Sequence, residues 1–128
     1  MKESFLGLRT TIYKVNDIIK AKEWYSQVLG ISPYFDESYY VGFNIGGYEL
    51  GLQPEEQSSP FKSDNVVTYW GVSDIELSFY KLIAAGAVVH EQPEEVGEGI
   101  KTASVKDLWG NVVGIIENPH FALQPHTI

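Results

Sequence analysis

The chain repeats itself. The segment Val15 to Gly30, VNDIIKAKEWYSQVLG, is echoed by VSDIELSFYKLIAAG from Val72 to Gly86. Both open Val-x-Asp-Ile, carry a Tyr in mid-segment and close on Gly, and Asp17 and Asp74 stand 57 positions apart. Self-similarity of this kind means one supersecondary unit written twice, each copy needing the other to bury its apolar face. The 128 residues are the length of one domain and suffice for a core without disulfides or metal staples.

Each repeated segment reads as a helix. Asp17 and Asp74 can accept hydrogen bonds from free backbone N–H groups at a helix start, where their charge also suits the dipole. Ile18, Ala21, Tyr25, Val28 and Leu29 share one face at helical spacing, as do Ile75, Phe79, Leu82 and Ile83. Gly30 and Gly86 stand where a left-handed residue ends a helix, and they are 56 apart, which makes the second helix one residue shorter. A β-branched run precedes each helix, at Leu8–Val15 and Val66–Val72. Strand-like runs follow: Ser32–Phe35, Tyr39–Ile45 and Tyr48–Gln53, then Ala87–Glu91, Lys101–Val105 and Val112–Glu117. Gly46-Gly47 signals a hairpin, and Asp107-Leu108-Trp109-Gly110-Asn111 a turn before the last strand. The order is β-α-β-β-β twice, an α+β fold. It forms a single domain over 1–128, with module one at about 5–54 and module two at about 65–119. Pro54–Asn65 reads as the linker, Gln92–Gly99 as a polar loop, and His120–Ile128 as a tail.

Composition narrows the function. The chain has no cysteine, which removes disulfides, thiolate metal sites and a cysteine nucleophile. Nine Lys and Arg face 17 Asp and Glu, for a net charge of -8, so no basic face is expected for nucleic acid. The excess of acid keeps a protein dissolved and slightly favours cationic ligands. No apolar run approaches the ~20 residues that span a bilayer, and the opening MKESFLGLRTT has no secretory pattern. The expectation is a cytoplasmic protein with no membrane or nucleic-acid partner.

The two modules resemble the glyoxalase/bleomycin-resistance/dioxygenase, or vicinal oxygen chelate, superfamily. Val15-Asn16-Asp17 followed by Trp24-Tyr25 and Val28-Leu29-Gly30 is similar to the family's "VxD…FYxxxLG". Val72-Ser73-Asp74 echoes it, and Asp107–Asn111 is similar to the "DPxGN" turn. The resemblance implies two curled mixed sheets around a cleft. In catalytic members a divalent metal is held there by four side chains, from the first and last strand of each module. His, Gln and Glu are the usual donors. Seven residues before each helix Asp stand Thr10 and Val67; four after each turn Gly stand Gly51 and Gly114. Three of these have no donor side chain and Thr10 has only a hydroxyl, so the expectation is no metal and no cofactor. His90, His120 and His126 lie off the ligand strands at spacings that suit no metal pair.

Strand alternation then populates the cleft. Ile12 and Lys14 accompany Thr10; Glu49 and Gln53 accompany Gly51; Tyr69 accompanies Val67; Val112 and Ile116 accompany Gly114. The candidate ligand-binding residues are Thr10, Lys14, Glu49, Gln53, Tyr69 and Trp109, the last because a turn aromatic is otherwise exposed. Glu49, as an acid in an apolar cleft, either has a raised pKa and acts as a base, or pairs with a cationic ligand, or else forms a salt bridge with Lys14 or stands as an exposed carboxylate. The glycines either make room for a ligand or allow close packing. The aromatic cluster Tyr34, Phe35, Tyr39, Tyr40 and Phe43 either stacks on a planar ligand or forms core and interface.

Three functions fit these residues. The first is a metal-independent protein binding a small cationic or aromatic molecule. The second is an enzyme: a metal-dependent lyase, isomerase or dioxygenase, or a metal-free acid–base catalyst using Glu49 or Tyr69. The third is a ligand-sensing accessory protein acting through a partner. The family resemblance also implies a homodimer.

Overall fold

The computed structural model describes residues 5–56, 62–63 and 65–122. Part of the linker, His126 and the end of the tail lie outside them. The first module runs β1 (Thr10–Val15), α1 (Ile18–Leu29), β2 (Phe35–Glu37), β3 (Tyr40–Ile45), β4 (Tyr48–Pro54). The second runs β5 (Tyr69–Gly71), α2 (Ile75–Ala84), β6 (Val88–Gly97), β7 (Ile100–Lys106), β8 (Val112–Glu117). Each makes a four-stranded mixed sheet with the same order, β1-β4-β3-β2 and β5-β8-β7-β6. In each, the first strand lies parallel to the last and the remaining pairs are antiparallel. This is the expected α+β arrangement.

The local signals work as anticipated. Asp17 and Asp74 cap their helices by accepting from Lys20 N and Leu77 N, both at 3.1 Å. Gly30 ends α1 in the left-handed region at φ 70°. In α2 the cap residue is Ala85, in the right-handed region, and Gly86 follows it. The helices are 12 and 10 residues long, so the second is shorter by two rather than one. Gly46 and Gly47 both take positive φ between the paired residues Ile45 and Tyr48, as a two-residue hairpin of the primed type requires.

Three expected boundaries change, the first being β2, which begins at Phe35, where the expected strand Ser32–Phe35 ends. Gln92–Gly99 is not a loop: β6 continues to Gly97 and pairs with β7. The acidic residues belong to a solvated ribbon, with Glu95 opposite Lys101, and its tip is Glu98-Gly99, both at positive φ. The first strand of module two is also shorter than Val66–Val72, and Val67 precedes it.

The modules meet through equivalent residues of the repeat. Thr11 Oγ1 reaches Thr68 Oγ1 at 3.5 Å, and Trp70 Nε1 donates to Tyr13 OH at 3.1 Å, both pairs 57 positions apart. A local two-fold therefore passes between β1 and β5. On one side of it Trp24 Nε1 donates to the Ala85 carbonyl at 2.8 Å. One core then runs through both halves: Tyr13, Val15, Trp24, Tyr25, Phe43, Leu50 and Leu52 pack in the same cluster as Ala87, Val105 and Val113. Ile75, Ala103 and Ile115 form a smaller cluster in module two, with Phe79 and Leu82 of α2 packed against it.

Asp107 is the buried polar centre of that core, 3% exposed. Its Oδ2 accepts from Tyr25 OH at 2.7 Å and Asn111 Nδ2 at 3.0 Å. Its Oδ1 accepts from Trp109 N at 2.9 Å and Asn111 N at 2.8 Å. Four donors thus fill a buried carboxylate, which would otherwise be costly to desolvate. Burial first, and then the neighbouring Asp107 charge, push the Tyr25 phenol well above its ordinary pKa, so it remains a donor. Tyr25→Phe should lower unfolding free energy by about 2 kcal/mol, the range for a hydrogen bond to a charged group. Urea denaturation measures this, and no loss would mean that the phenol does not join the two modules.

Candidate functional site

Alternation along β1 and β4 sorts the side chains as expected. Tyr13 and Val15 are buried in the core, while Thr10, Ile12 and Lys14 are exposed on the other face. Leu50 and Leu52 are likewise buried, and Glu49 and Gln53 are half-buried. Thr10 pairs with Glu49, Ile12 with Gly51 and Lys14 with Gln53 across the parallel ladder. Four of the six candidate residues therefore share one open face.

At one end of that face Glu49 gathers three hydroxyls. Thr10 Oγ1 donates to its Oε1 at 2.6 Å and Tyr40 OH to the same oxygen at 2.5 Å. Tyr34 OH donates to Oε2. Desolvation pushes the Glu49 carboxyl up, but the bonds from Thr10, Tyr34 and Tyr40 together outweigh it, and the pKa falls below the ordinary 4.5. The expectation of a raised pKa is thus corrected. The reason is the pair of facing glycines: Gly42 lies opposite Gly51, which leaves room for Tyr40 of β3 and Tyr34, ahead of β2, to reach the carboxylate. The tyrosines are pushed up, Tyr34 mainly by its bond to Glu49 and Tyr40 mainly by desolvation. The pair with Lys14 does not form among the described residues.

The two glycines of this face make room for those tyrosines. A Cβ on Gly42 would sit 2.7 Å from Glu49 Oε2 and 3.1 Å from the Tyr34 ring. A Cβ on Gly51 would collide with Tyr40 OH. In module two, a Cβ on Gly114 would meet the Thr68 carbonyl at 2.7 Å and the Tyr69 ring at 2.8 Å. Of the two roles open to Gly51 and Gly114, both do close packing.

This bears directly on a chelated metal. Gly51 and Gly114 bring no donor, and the space a side chain would take is filled. Val67 is apolar, and the Thr10 hydroxyl is engaged with Glu49. The residues at the four positions do not fit a divalent metal. Elsewhere among the described residues, Asp74, Glu76 and Glu117 have carboxylate oxygens within 4.8 Å of one another. These serve the helix start: Asp74 accepts from Leu77 N, Glu117 from Ile75 N, and Glu76 pairs with Lys101.

At the other end of the open face lies a groove of about 870 Å³. Ile12, Lys14, Gln53 and Tyr39 line it, with Glu55 and Lys62 from the linker and Asn111 from module two. The Lys14 carbonyl accepts from both Lys62 Nζ and Asn111 Nδ2, each at 3.0 Å, which ties the groove's edges together. Lys62 also pairs with Glu55. Tyr69 and Trp109 are elsewhere. Tyr69 is exposed beside Gly114, and Trp109 turns inward, stacked on Tyr25 at 6.4 Å and edge-on to Trp24 at 6.1 Å. On the second sheet, Ser104 is fully buried, with His90 Nδ1 at 2.8 Å and Glu91 Oε1 at 3.3 Å. Sequence alone did not single out Tyr34 and Tyr40 as partners of Glu49, nor Asn111 and Lys62 as groove residues. Their placement depends on strand register and on the turn at Asp107.

The sequence profile of the Glyoxalase/Bleomycin resistance protein/Dioxygenase superfamily matches residues 7–115. The chain belongs to that superfamily. Its structure is similar to a glyoxalase-related enzyme from Fulvimarina pelagi, with TM-score 0.75 and 15% identity over 94% of each chain. It is also similar to a glyoxalase/bleomycin resistance protein/dioxygenase family enzyme from Burkholderia phytofirmans PsJN, with TM-score 0.72 and 20% identity, covering 88% of this chain and 98% of that one. Lactoylglutathione lyase from Agrobacterium tumefaciens gives TM-score 0.70 and 19% identity, covering 90% and 96%. At these identities the likeness is one of fold. Comparison with curated proteins gives no match.

Gly51→Ala tests the packing. The new methyl must displace Tyr40, which should cost about 1–3 kcal/mol and return the Glu49 pKa toward 4.5. A carbon-detected NMR titration reads the second effect. The sign follows from the depressed pKa: the stability from Glu49 is present above 4.5 and lost as pH falls through its lower folded value. An unchanged Glu49 pKa in the variant would show that Tyr40 does not hold the carboxylate.

Proposed function

We propose that this member of the superfamily is a metal-independent small-molecule-binding protein whose ligand lies on the open face of module one. The observation that carries it is the filling of the chelate positions: two glycines closed over by neighbours, a valine, and a threonine engaged with Glu49. An open face with a groove beside it is still a place for a ligand. Lys14 and Gln53 line that groove, while Thr10 and Glu49 extend the same face. Ile12 and Tyr39 supply apolar and aromatic wall, which suits a ligand of cationic or aromatic character. Tyr69 sits outside the groove, and Trp109 serves the site by holding the turn that carries Asn111.

The reading assigns no metal and no cofactor, and the protein acts in the cytoplasm without nucleic acid or a membrane. Among the described residues no helix is long and apolar enough to cross one. A homodimer belongs to the same proposal, supported by large exposed apolar side chains such as Phe5, Leu6, Ile19 and Tyr80. A lyase, isomerase or dioxygenase of the metal-dependent kind would need donors that the four positions lack.

Elemental analysis of the purified protein, before and after Zn²⁺, Mn²⁺, Ni²⁺ and Fe²⁺ and desalting, should find far less than one equivalent. Retention near one equivalent would overturn the reading in favour of a metal enzyme. A small-molecule thermal-shift screen should in turn find ligands. At a hundredfold excess over Kd, binding adds about 2.7 kcal/mol of stability, and Lys14→Ala should reduce the shift.

A further inference from the structure

The open face has a second recognition element beyond the groove. Glu49 is a carboxylate held by hydroxyls from three places: Thr10 on β1, Tyr34 before β2 and Tyr40 on β3. No cationic side chain neutralises it among the described residues. A carboxylate accepts about four hydrogen bonds, so one acceptor direction remains on Oε2, which Tyr34 alone serves. Around it lie aromatic rings rather than charges. Tyr34 is 63% exposed and Tyr39 64%. Phe35 stands 6.1 Å from both Tyr39 and Tyr40, which joins the rings into a continuous strip. Tyr39 at the far end of the strip also lines the groove. Glu49 and Gln53 lie on the same strand face, four residues apart, or roughly 13 Å at strand spacing. The strip thus connects the carboxylate to the groove.

Ring faces are negative and attract cations, and an adjacent unneutralised carboxylate adds to that attraction. Built this way, the site repels anions and offers a neutral donor a hydrogen bond without the charge attraction that an ammonium gains. The hydroxyls keep the carboxylate charged and fixed in orientation, which removes part of the ordering cost of binding. Gly42 and Gly51 are the residues that let Tyr34 and Tyr40 approach close enough to do this. We propose that Glu49, with Tyr34, Phe35, Tyr39 and Tyr40, is the recognition site for the charged head of an organic ammonium ion, whose apolar body extends toward the Lys14–Gln53 groove. This deepens the small-molecule-binding reading and rests on it.

Three probes of one size separate the possibilities: benzylammonium, benzyl alcohol and benzoate, titrated into the full chain at pH 7 and low salt. Amide chemical shifts locate each one. Benzylammonium should bind at least tenfold tighter than benzyl alcohol and shift the amides of residues 34–42 and 49–51. Glu49→Gln should bring that ratio close to one. Should Glu49→Gln fail to fold, the unaltered protein still decides, because about 1 M salt screens an exposed charge pair and must shrink the ratio severalfold. Tyr34→Phe, which keeps the ring and frees a carboxylate lone pair, should retain the preference. A ratio near one in the unaltered protein overturns the cation assignment, as does a ratio that survives Glu49→Gln. If the alcohol or benzoate binds in the groove without any preference for the ammonium, only this assignment fails and the binding reading stands. If none of the three binds, both fail.

Discussion

The hydrogen bond from Tyr25 to Asp107 fixes what the rest of the molecule can do. It runs from the first helix of module one into the last turn of module two, through the middle of a shared core. Asp107 uses its other lone pairs on Trp109 N, Asn111 N and Asn111 Nδ2, so a single buried carboxylate sets the turn's shape. Gly110 completes the turn at positive φ. The turn in turn sets where β8 starts, and so places Gly114 against β5. Asn111 reaches back to the Lys14 carbonyl and forms one edge of the groove. A polar pin in the core thereby positions a site on the surface.

The open face carries the positions where the family resemblance puts metal donors in module one, and there they are Thr10 and Gly51. Tyr40 lies over Gly51, and Tyr69 with the Thr68 carbonyl closes over Gly114. What remains is a carboxylate with three phenolic or alcoholic donors, buffered toward the charged form. Such a group is a poor proton acceptor near neutral pH, because a lowered pKa moves it away from the operating range. It is well suited to holding charge in place. The same geometry that argues against general-base chemistry at Glu49 therefore argues for recognition.

Much of this was legible in the sequence wherever the cause is local. The repeat gave both modules, Asp17 and Asp74 marked both helix starts, and Gly46-Gly47 marked the hairpin. Period-two alternation placed Thr10, Lys14, Glu49 and Gln53 on one face without any structure. The misreadings share one origin, pairing between distant segments. The reading of Glu49 as an acid of raised pKa rests on an apolar cleft, yet its partners are hydroxyls from 9, 15 and 39 positions away. The acidic run Gln92–Gly99 has a loop's composition, but antiparallel pairing to β7 makes it a strand. Trp109 reads as a ligand or interface contact because a turn aromatic is otherwise exposed, and it is drawn inward because this turn is anchored in the core.

The central claim is that the chelate positions of both modules hold no metal. It is tested most directly by amide NMR line broadening on adding substoichiometric Mn²⁺, which reports each position separately. The structure predicts that the amides of Thr10, Gly51, Val67 and Gly114 broaden no more than those beside the exposed carboxylates of β6. Selective loss of those four signals at low Mn²⁺ would contradict the account, since it would put a metal where the tyrosines and glycines leave it no ligands.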